Sequence, residues 1–352
     1  MPYIDPTLMA PTPLQAIWFL LIGVLLLGYF ILDGFDLGSG GLYPFLAKDE
    51  QEKAFVRRSI GPLWDGNEVW LLTGGGALFA AFAPAYATAF SGFYLAIMLV
   101  LFGLIARAAA IEFRSLGDGL NKLWDAAFFL GSALPALLFG VAVGNVIEGV
   151  PLDAHGDYAG LPLIGLLRPF PLVCGVISLS QILLQGASWQ ALKAPVGSAL
   201  HQRSVALRTP LLIVVAVAFV LATALYFGLL GDPHSAQGAG LPLLFRAVFA
   251  VVFVAGVVAA LLFQRKGDDL WSFLAANIAP VALIGISATT LFPYLIPSLG
   301  PGPSITVASA GGTELALTCM TIIAAVGVPL VLVYHVIIYR TFRGRLSVED
   351  LS

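Results

Sequence analysis

Charge is what this sequence lacks. Asp, Glu, Lys and Arg make up 11% of its 352 residues, the apolar set makes up 59%, and the mean hydropathy is +0.95. Soluble domains carry about 25% charged residues. Charge this sparse cannot cover the surface of a globule, so a soluble enzyme is excluded. The 17 basic and 20 acidic residues leave a net charge of -3 and form no basic stripe that would neutralise phosphates, which excludes a nucleic-acid partner. Cysteine is nearly absent: Cys174 and Cys319 both fall in apolar runs, so a disulfide framework is excluded and buried thiols are expected. No Lys or Arg precedes the first apolar run. That run, Leu14 to Leu32, is too long for a signal sequence and has no cleavage pattern, so it is expected to stay as a first membrane span.

What is present in abundance is long apolar runs. A bilayer core about 30 Å thick requires roughly 20 apolar residues in a helix, because only an internal hydrogen-bond ladder satisfies the backbone there. Nine stretches meet that need: Leu14 to Asp33, Glu68 to Phe82, Ala85 to Phe113, Leu123 to Ile147, Pro169 to Trp189, Pro210 to Leu230, Pro242 to Gln264, Trp271 to Pro297 and Glu314 to Tyr339. The second is short and glycine-rich, and it should end before Pro84, which starts a helix better than it continues one. The fold class is therefore all-α, a polytopic membrane protein of about nine transmembrane helices.

Lys and Arg crowd alternate connections. Only Arg168 and Arg246 of the 17 basic residues fall on the side opposite the rest. The positive-inside rule then places the N-terminus outside and the C-terminus in the cytoplasm, which agrees with an odd number of spans. Leu123-Trp124-Asp125 before Pro135 and Leu270-Trp271-Ser272 before Pro280 open the fourth and eighth spans alike. This leaves open either a parallel four-helix repeat with an extra ninth helix or two interfacial Trp anchors.

Ionisable groups inside a membrane cost roughly 2.5 to 3.5 kcal/mol each at a helix centre, so their placement is informative. Asp33 and Asp36 sit at the inner end of the first span, Asp65 and Glu68 at the inner start of the second, and Glu112 near the inner end of the third. Five carboxylates are thus expected at one cytoplasmic corner, where desolvation tunes acids toward proton relay. Arg107 lies within reach to pair with one of them, which would make the group either a proton entrance or a salt-bridged knot. Asp65 also suits capping of the second helix.

The four histidines do not form a ligand set. His155 and His234 are placed in outer loops, His201 in an inner loop and His335 alone in the ninth span, with no i, i+4 pair and no accompanying Cys or carboxylate. No metal or haem ligated by this chain is expected. Gly34, Gly38, Gly40 and Gly41 are expected in a loop after a transmembrane helix, which excludes a dinucleotide fingerprint. Gly74, Gly75 and Gly76 are expected to allow close helix approach.

The segments Asp33-Gly34-Phe35-Asp36-Leu37-Gly38, Gly61-Pro62-Leu63-Trp64-Asp65-Gly66-Asn67-Glu68-Val69-Trp70-Leu71, Phe79-Ala80-Ala81-Phe82 and Phe90-Ser91-Gly92-Phe93-Tyr94 together are distinctive. Gly144-Asn145, Gly149-Val150-Pro151, Gln185-Gly186 and Phe292-Pro293 follow in order. The chain thereby resembles, over nearly its whole length, subunit II of the cytochrome bd-type quinol oxidases, including the cyanide-insensitive branch.

The resemblance implies two four-helix bundles, residues 14–147 and 169–297, a peripheral helix over 314–339, an outer N-terminus over 1–13 and a cytoplasmic tail over 340–352. It implies a quinol oxidase complex of the plasma membrane that reduces dioxygen to water. Two haems b and one haem d would be held by subunit I, a quinone would be present, and a small accessory subunit is an open partner. It also implies proton uptake through Asp65, supported by Asp33, Asp36, Glu68 and Glu112, with Trp64, Asn67, Trp70 and Arg107 as subunit-interface candidates. Some family members carry His where this chain has Leu63, which puts in doubt any step needing an imidazole there. Other readings of the same residues are a proton- or cation-coupled transporter and a purely structural scaffold.

Overall fold

The computed structural model describes residues 10–116, 119–232 and 241–346. His234 and the outermost parts of the expected N-terminal segment and C-terminal tail lie outside the described residues. Among the described residues, eight helical stretches are long and apolar enough to cross a membrane.

The first stretch is α1 (Pro13–Leu32), which passes through a break at Asp33 into α2 (Gly34–Gly41). Thr12 and Gln15 close a capping box at its start, with Pro13 in the first turn, a combination that fixes a helix N-terminus by about 1 kcal/mol. Short helices α3 (Tyr43–Leu46) and α4 (Glu50–Ile60) lead to α5 (Trp64–Ala81). This helix answers to the second expected span. It is 18 residues long, about 27 Å at 1.5 Å per residue, and Asp65, Asn67 and Glu68 in its first turns make it less apolar than the eight.

The third expected span is two helices, α6 (Ala83–Gly92) and α7 (Tyr94–Phe113). They part at Phe93, where Gly92 rests on the Tyr158 ring and a Cβ would lie 2.9 Å from that side chain. Then come α8 (Asn121–Glu148), α9 (Pro169–Lys193), α10 (Ala199–Gly228) and α11 (Leu243–Lys266). The eighth expected span is also broken, into α12 (Asp269–Ala276) and α13 (Ile278–Leu291) at Asn277. Strand β1 (Tyr294–Ile296) pairs antiparallel with β2 (Ile305–Thr306), and α14 (Val307–Ala310) precedes the last helix, α15 (Glu314–Thr341).

Helix α9 is the most enclosed spanning element. It packs against α2, α8, α10 and α12, and 61% of its apolar window is buried, against 6% for α15. The glycine-rich segment 34–41 is a fully buried helix and not the expected loop. Glycine costs about 1 kcal/mol per residue in a helix interior, but here it lets two backbones touch. A Cβ on Gly38 would lie 2.0 Å from the Ile182 carbonyl oxygen, and one on Gly186 would lie 2.1 Å from the Gly38 carbonyl carbon. Of the expected triplet on α5, Gly74 faces Leu25 and Leu26 of α1, whereas Gly75 and Gly76 face no neighbour within 4 Å.

Basic connections that are remote in sequence meet at one end of the bundle. Lys53 and Arg114 both reach Asp125 and Glu50, Arg203 pairs with Glu52, and His201, Arg208 and Arg345 surround Asp269. The peripheral α15 is strapped to α9 at this end: Lys193 donates to the Phe342 and Gly344 carbonyls, and Arg345 donates to those of Ala191 and Ala194. Arg168 pairs with Glu148 and Arg246 with Asp232, away from this group.

Candidate functional site

The break between α1 and α2 puts Asp33 at the N-cap of α2 and Asp36 at its third position, both with zero exposure. Neither caps the helix with its side chain; instead they turn toward α5 and α7. Arg107, fully buried on α7, donates from both terminal nitrogens to Asp33 Oδ1 at 2.9 Å and from one of them to Glu68 Oε2 at 3.3 Å. The side chain of Glu68 is 26% exposed. Both bonds to Asp33 are charge-assisted and share one oxygen, Oδ1, and the acids that Arg107 pairs with are Asp33 and Glu68.

Asn67 crosses from α5 to Asp36. Its Nδ2 donates to Asp36 Oδ2 at 2.7 Å and to the Leu32 carbonyl at 3.0 Å, while its Oδ1 accepts from the Tyr339 hydroxyl at 3.2 Å. The helix end at Leu32 thereby regains a donor for a carbonyl that the break leaves orphaned. One turn further along α5, Trp70 Nε1 donates to His335 Nε2 at 3.2 Å, and His335 Nδ1 lies 2.9 Å from the Val331 carbonyl oxygen. Accepting at Nε2 leaves the proton on Nδ1, so this network assigns the neutral tautomer. His335, expected to stand alone, is fixed by α5.

Asp33, Asp36 and Glu68 thus meet around Arg107 and Asn67. Asp65 lies on the exposed side of the first turn of α5, whose N-cap is Leu63, and Glu112 is exposed on α7 five residues past Arg107. Both therefore stand outside the buried junction. Trp64 is half-buried at the start of α5, and Asp65, Val69 and Leu72 line the outward side of that helix.

Several residues of the junction were not singled out from sequence. Tyr339 comes from the last helix, and Tyr29 is buried one turn before Asp33. Gln185 on α9 donates to the Phe30 carbonyl at 3.0 Å and to Asn277 Oδ1 at 2.6 Å, so one side chain holds both helix breaks. Gln181 donates to the Ala276 carbonyl at 2.9 Å. The signal that would have found them is the row Gln181, Gln185, Ser188 and Gln190 in a span otherwise fit for lipid, since polar groups at such depth are costly.

Next to this row, α8, α9, α10, α11 and α13, with Phe30 of α1, line an apolar pocket of about 470 Å³, bordered by Gln181, Gln185, Tyr226 and Arg246. Outside the spans, hydrogen bonds from Lys53 and then Arg114 hold the Glu50 carboxyl below its usual range.

Among the described residues, the two histidines carried by helices do not fit haem ligation. His335 is engaged at both nitrogens, and His201 Nε2 lies 3.0 Å from Asp269. Among the described residues, no group of three or more His, Cys, Asp or Glu side chains is placed to hold a metal ion.

Residues 14–342 match the family model described as cytochrome bd terminal oxidase subunit II. Cytochrome bd-I ubiquinol oxidase subunit 2 of Escherichia coli K12 is 36% identical over 371 residues, covering 96% of this chain and 97% of that one. Cytochrome bd ubiquinol oxidase subunit 2 of Bacillus subtilis 168 is 34% identical over 341 residues, with 96% and 98% covered. In fold, the chain is similar to the bd oxidase of Geobacillus thermodenitrificans, with a TM-score of 0.79 at 16% identity over 94% of this chain and 99% of that one. A motif run matched in order, an all-helical bundle and a full-length family match agree: the chain belongs to the family of subunit II of the cytochrome bd terminal oxidases.

Proposed function

We propose that this chain works as the haem-ligand-free subunit of a bd-type complex that oxidises quinol and reduces dioxygen to water, and that it brings protons to that complex from the cytoplasm. The observation that carries the proton role is the junction itself: three acids and one arginine at the end of the bundle where the basic connections gather. Under the positive-inside rule that end is cytoplasmic, which puts the N-terminus outside and the C-terminus inside.

Asp65, exposed one turn before Glu68, collects protons at the edge. Glu68, partly exposed, stands between it and buried Asp33 and Asp36. Glu112, exposed on α7, supports the same edge. Trp64, half-buried on α5, is the residue offered to the partner. Asn67, Trp70 and Arg107, expected at that face, are buried within this chain and position the junction from inside. Two four-helix units, residues 14–147 and 169–297, with α15 at the side, form the scaffold. The partners on this reading are subunit I with two haems b and one haem d, quinol, the bilayer, and a small accessory subunit in complexes that carry one. A stand-alone transporter is not favoured for a chain of this family.

The test is Asp65→Asn in the intact complex. Oxygen-consumption turnover falls while the visible haem spectrum of the purified complex is kept. Unchanged turnover removes Asp65 from the proton route.

A further inference from the structure

We infer that Asp36 holds a proton at neutral pH, directed toward Asp33, so that the junction stores one hydrogen ion inside the protein. Three carboxylates face one guanidinium, and they are not equivalent. Asp33 receives two charge-assisted bonds from Arg107 through Oδ1, and Glu68 reaches both Arg107 and solvent. Asp36 has zero exposure, and it accepts a hydrogen bond at Oδ2 from a neutral amide, Asn67 Nδ2. The Asn67 amide cannot rotate to offer more, because its oxygen accepts from Tyr339 and its second proton goes to Leu32.

A second observation points to the ligand. Asp36 Oδ1, Asp33 Oδ2 and the Tyr29 hydroxyl are all buried and without a hydrogen-bond partner. Asp33 and Asp36 are three residues apart at the head of α2, a spacing that brings side chains within about 5–6 Å at Cβ. The Tyr29 hydroxyl offers one donor to these two carboxylate oxygens, and a proton on Asp36 Oδ1 supplies the second, to Asp33 Oδ2 directly or through one water. Arg107 makes its hydrogen bonds to Asp33 and Glu68, and a buried carboxyl left to accept from a neutral amide gains more from neutrality than from remaining ionised. The groups facing Asp36 are Asp33 from the α1–α2 break, Asn67 and Glu68 from α5, Arg107 from α7 and Tyr339 from α15. From α9, the uncharged Gln185 reaches the Phe30 carbonyl and the uncharged Gln190 reaches Ser39, on either side of Asp36 in sequence.

Infrared difference spectroscopy of the intact purified oxidase complex tests this. At neutral pH, the wild-type minus Asp36→Asn spectrum contains the carbonyl stretch of one protonated carboxyl, and the band moves in D2O. A difference spectrum without that band, or one showing only carboxylate stretches, overturns the inference. So does a junction band that appears only when sodium is withdrawn, since a metal cation would then be the occupant. Should Asp36→Asn fail to assemble, Asn67→Ser serves instead: loss of the amide donor shifts the same band, and an unshifted band is equally fatal. Asp65→Asn leaves the band in place whatever it does to turnover, so a failure of proton entry at Asp65 and a failure of storage at Asp36 are told apart.

Discussion

Two of the spans break at a polar residue, and these two breaks are chemically opposite. At Asp33 the chain turns from α1 into α2 with φ -84° and ψ -13°; at Asn277 it turns from α12 into α13 with φ -78° and ψ -4°. Each residue is the N-cap of the half-helix that follows, and neither caps it with its side chain. Gln185 reaches both breaks. The first break carries a carboxylate held by a buried guanidinium. The second carries an amide held by amides: Asn277 Nδ2 donates to the Phe273 carbonyl at 2.8 Å, and its oxygen accepts from Gln185. A non-helical residue in a membrane is tolerated where protein satisfies it, and both breaks meet that condition. Only the first adds ionisable side chains. The same backbone device therefore carries charge in one half of the molecule and amides alone in the other.

The difference is open to direct attack. Arg107→Leu should do the most damage, because it leaves Asp33 and Glu68 without their cation. Removing one partner of a buried pair costs about 3–5 kcal/mol, and the expected result is a sharp drop in recovered complex, measured as haem absorbance per unit of membrane protein. Normal recovery would mean that the charged break needs no counter-ion.

Gln185→Ala strikes both breaks with milder force. It deletes two hydrogen bonds and leaves the Asn277 oxygen and the Phe30 carbonyl short of a donor, at about 1–3 kcal/mol for each buried group so stranded. The thermal midpoint of the purified complex should fall while haem content per complex holds. An unchanged midpoint would show that the two breaks are held independently of Gln185.

The smallest effect lies outside the membrane. Glu50 is ionised more readily in the folded chain than in the unfolded one, so its contribution is present above the unfolded pKa and is lost as pH falls through the lower folded one. Surface pairs of this kind contribute less than about 1 kcal/mol. Glu50→Gln should lower the midpoint slightly at neutral pH, with the gap to wild type closing in acid.

The spans and the grouping of basic residues were legible in the sequence because a bilayer imposes length and charge rules on contiguous segments. Asp33, Asp36 and Glu68 were legible for the same reason, as acids where acids are costly. The helix over residues 34–41 was not, because the reason four glycines form a helix lies across the chain at Gly186. Nor was the separation of Asp65 and Glu112 from the other three acids, since span positions give depth and not which way a side chain turns. Tyr339 and Gln185 depend on contacts 272 and 155 residues away in sequence, beyond the reach of any local periodicity.

The last helix, almost bare of neighbours, has a consequence for how the protein is made. Tyr339 and His335 reach α5 only from α15, and the straps at Lys193 and Arg345 hold that helix in place. During synthesis every other span leaves the ribosome first, so Asn67 and Trp70 wait with unfilled partners until the final helix enters the bilayer. Docking of that helix is thus a completion signal written into the chain: a truncated product would insert its earlier spans yet present an unsealed acid junction.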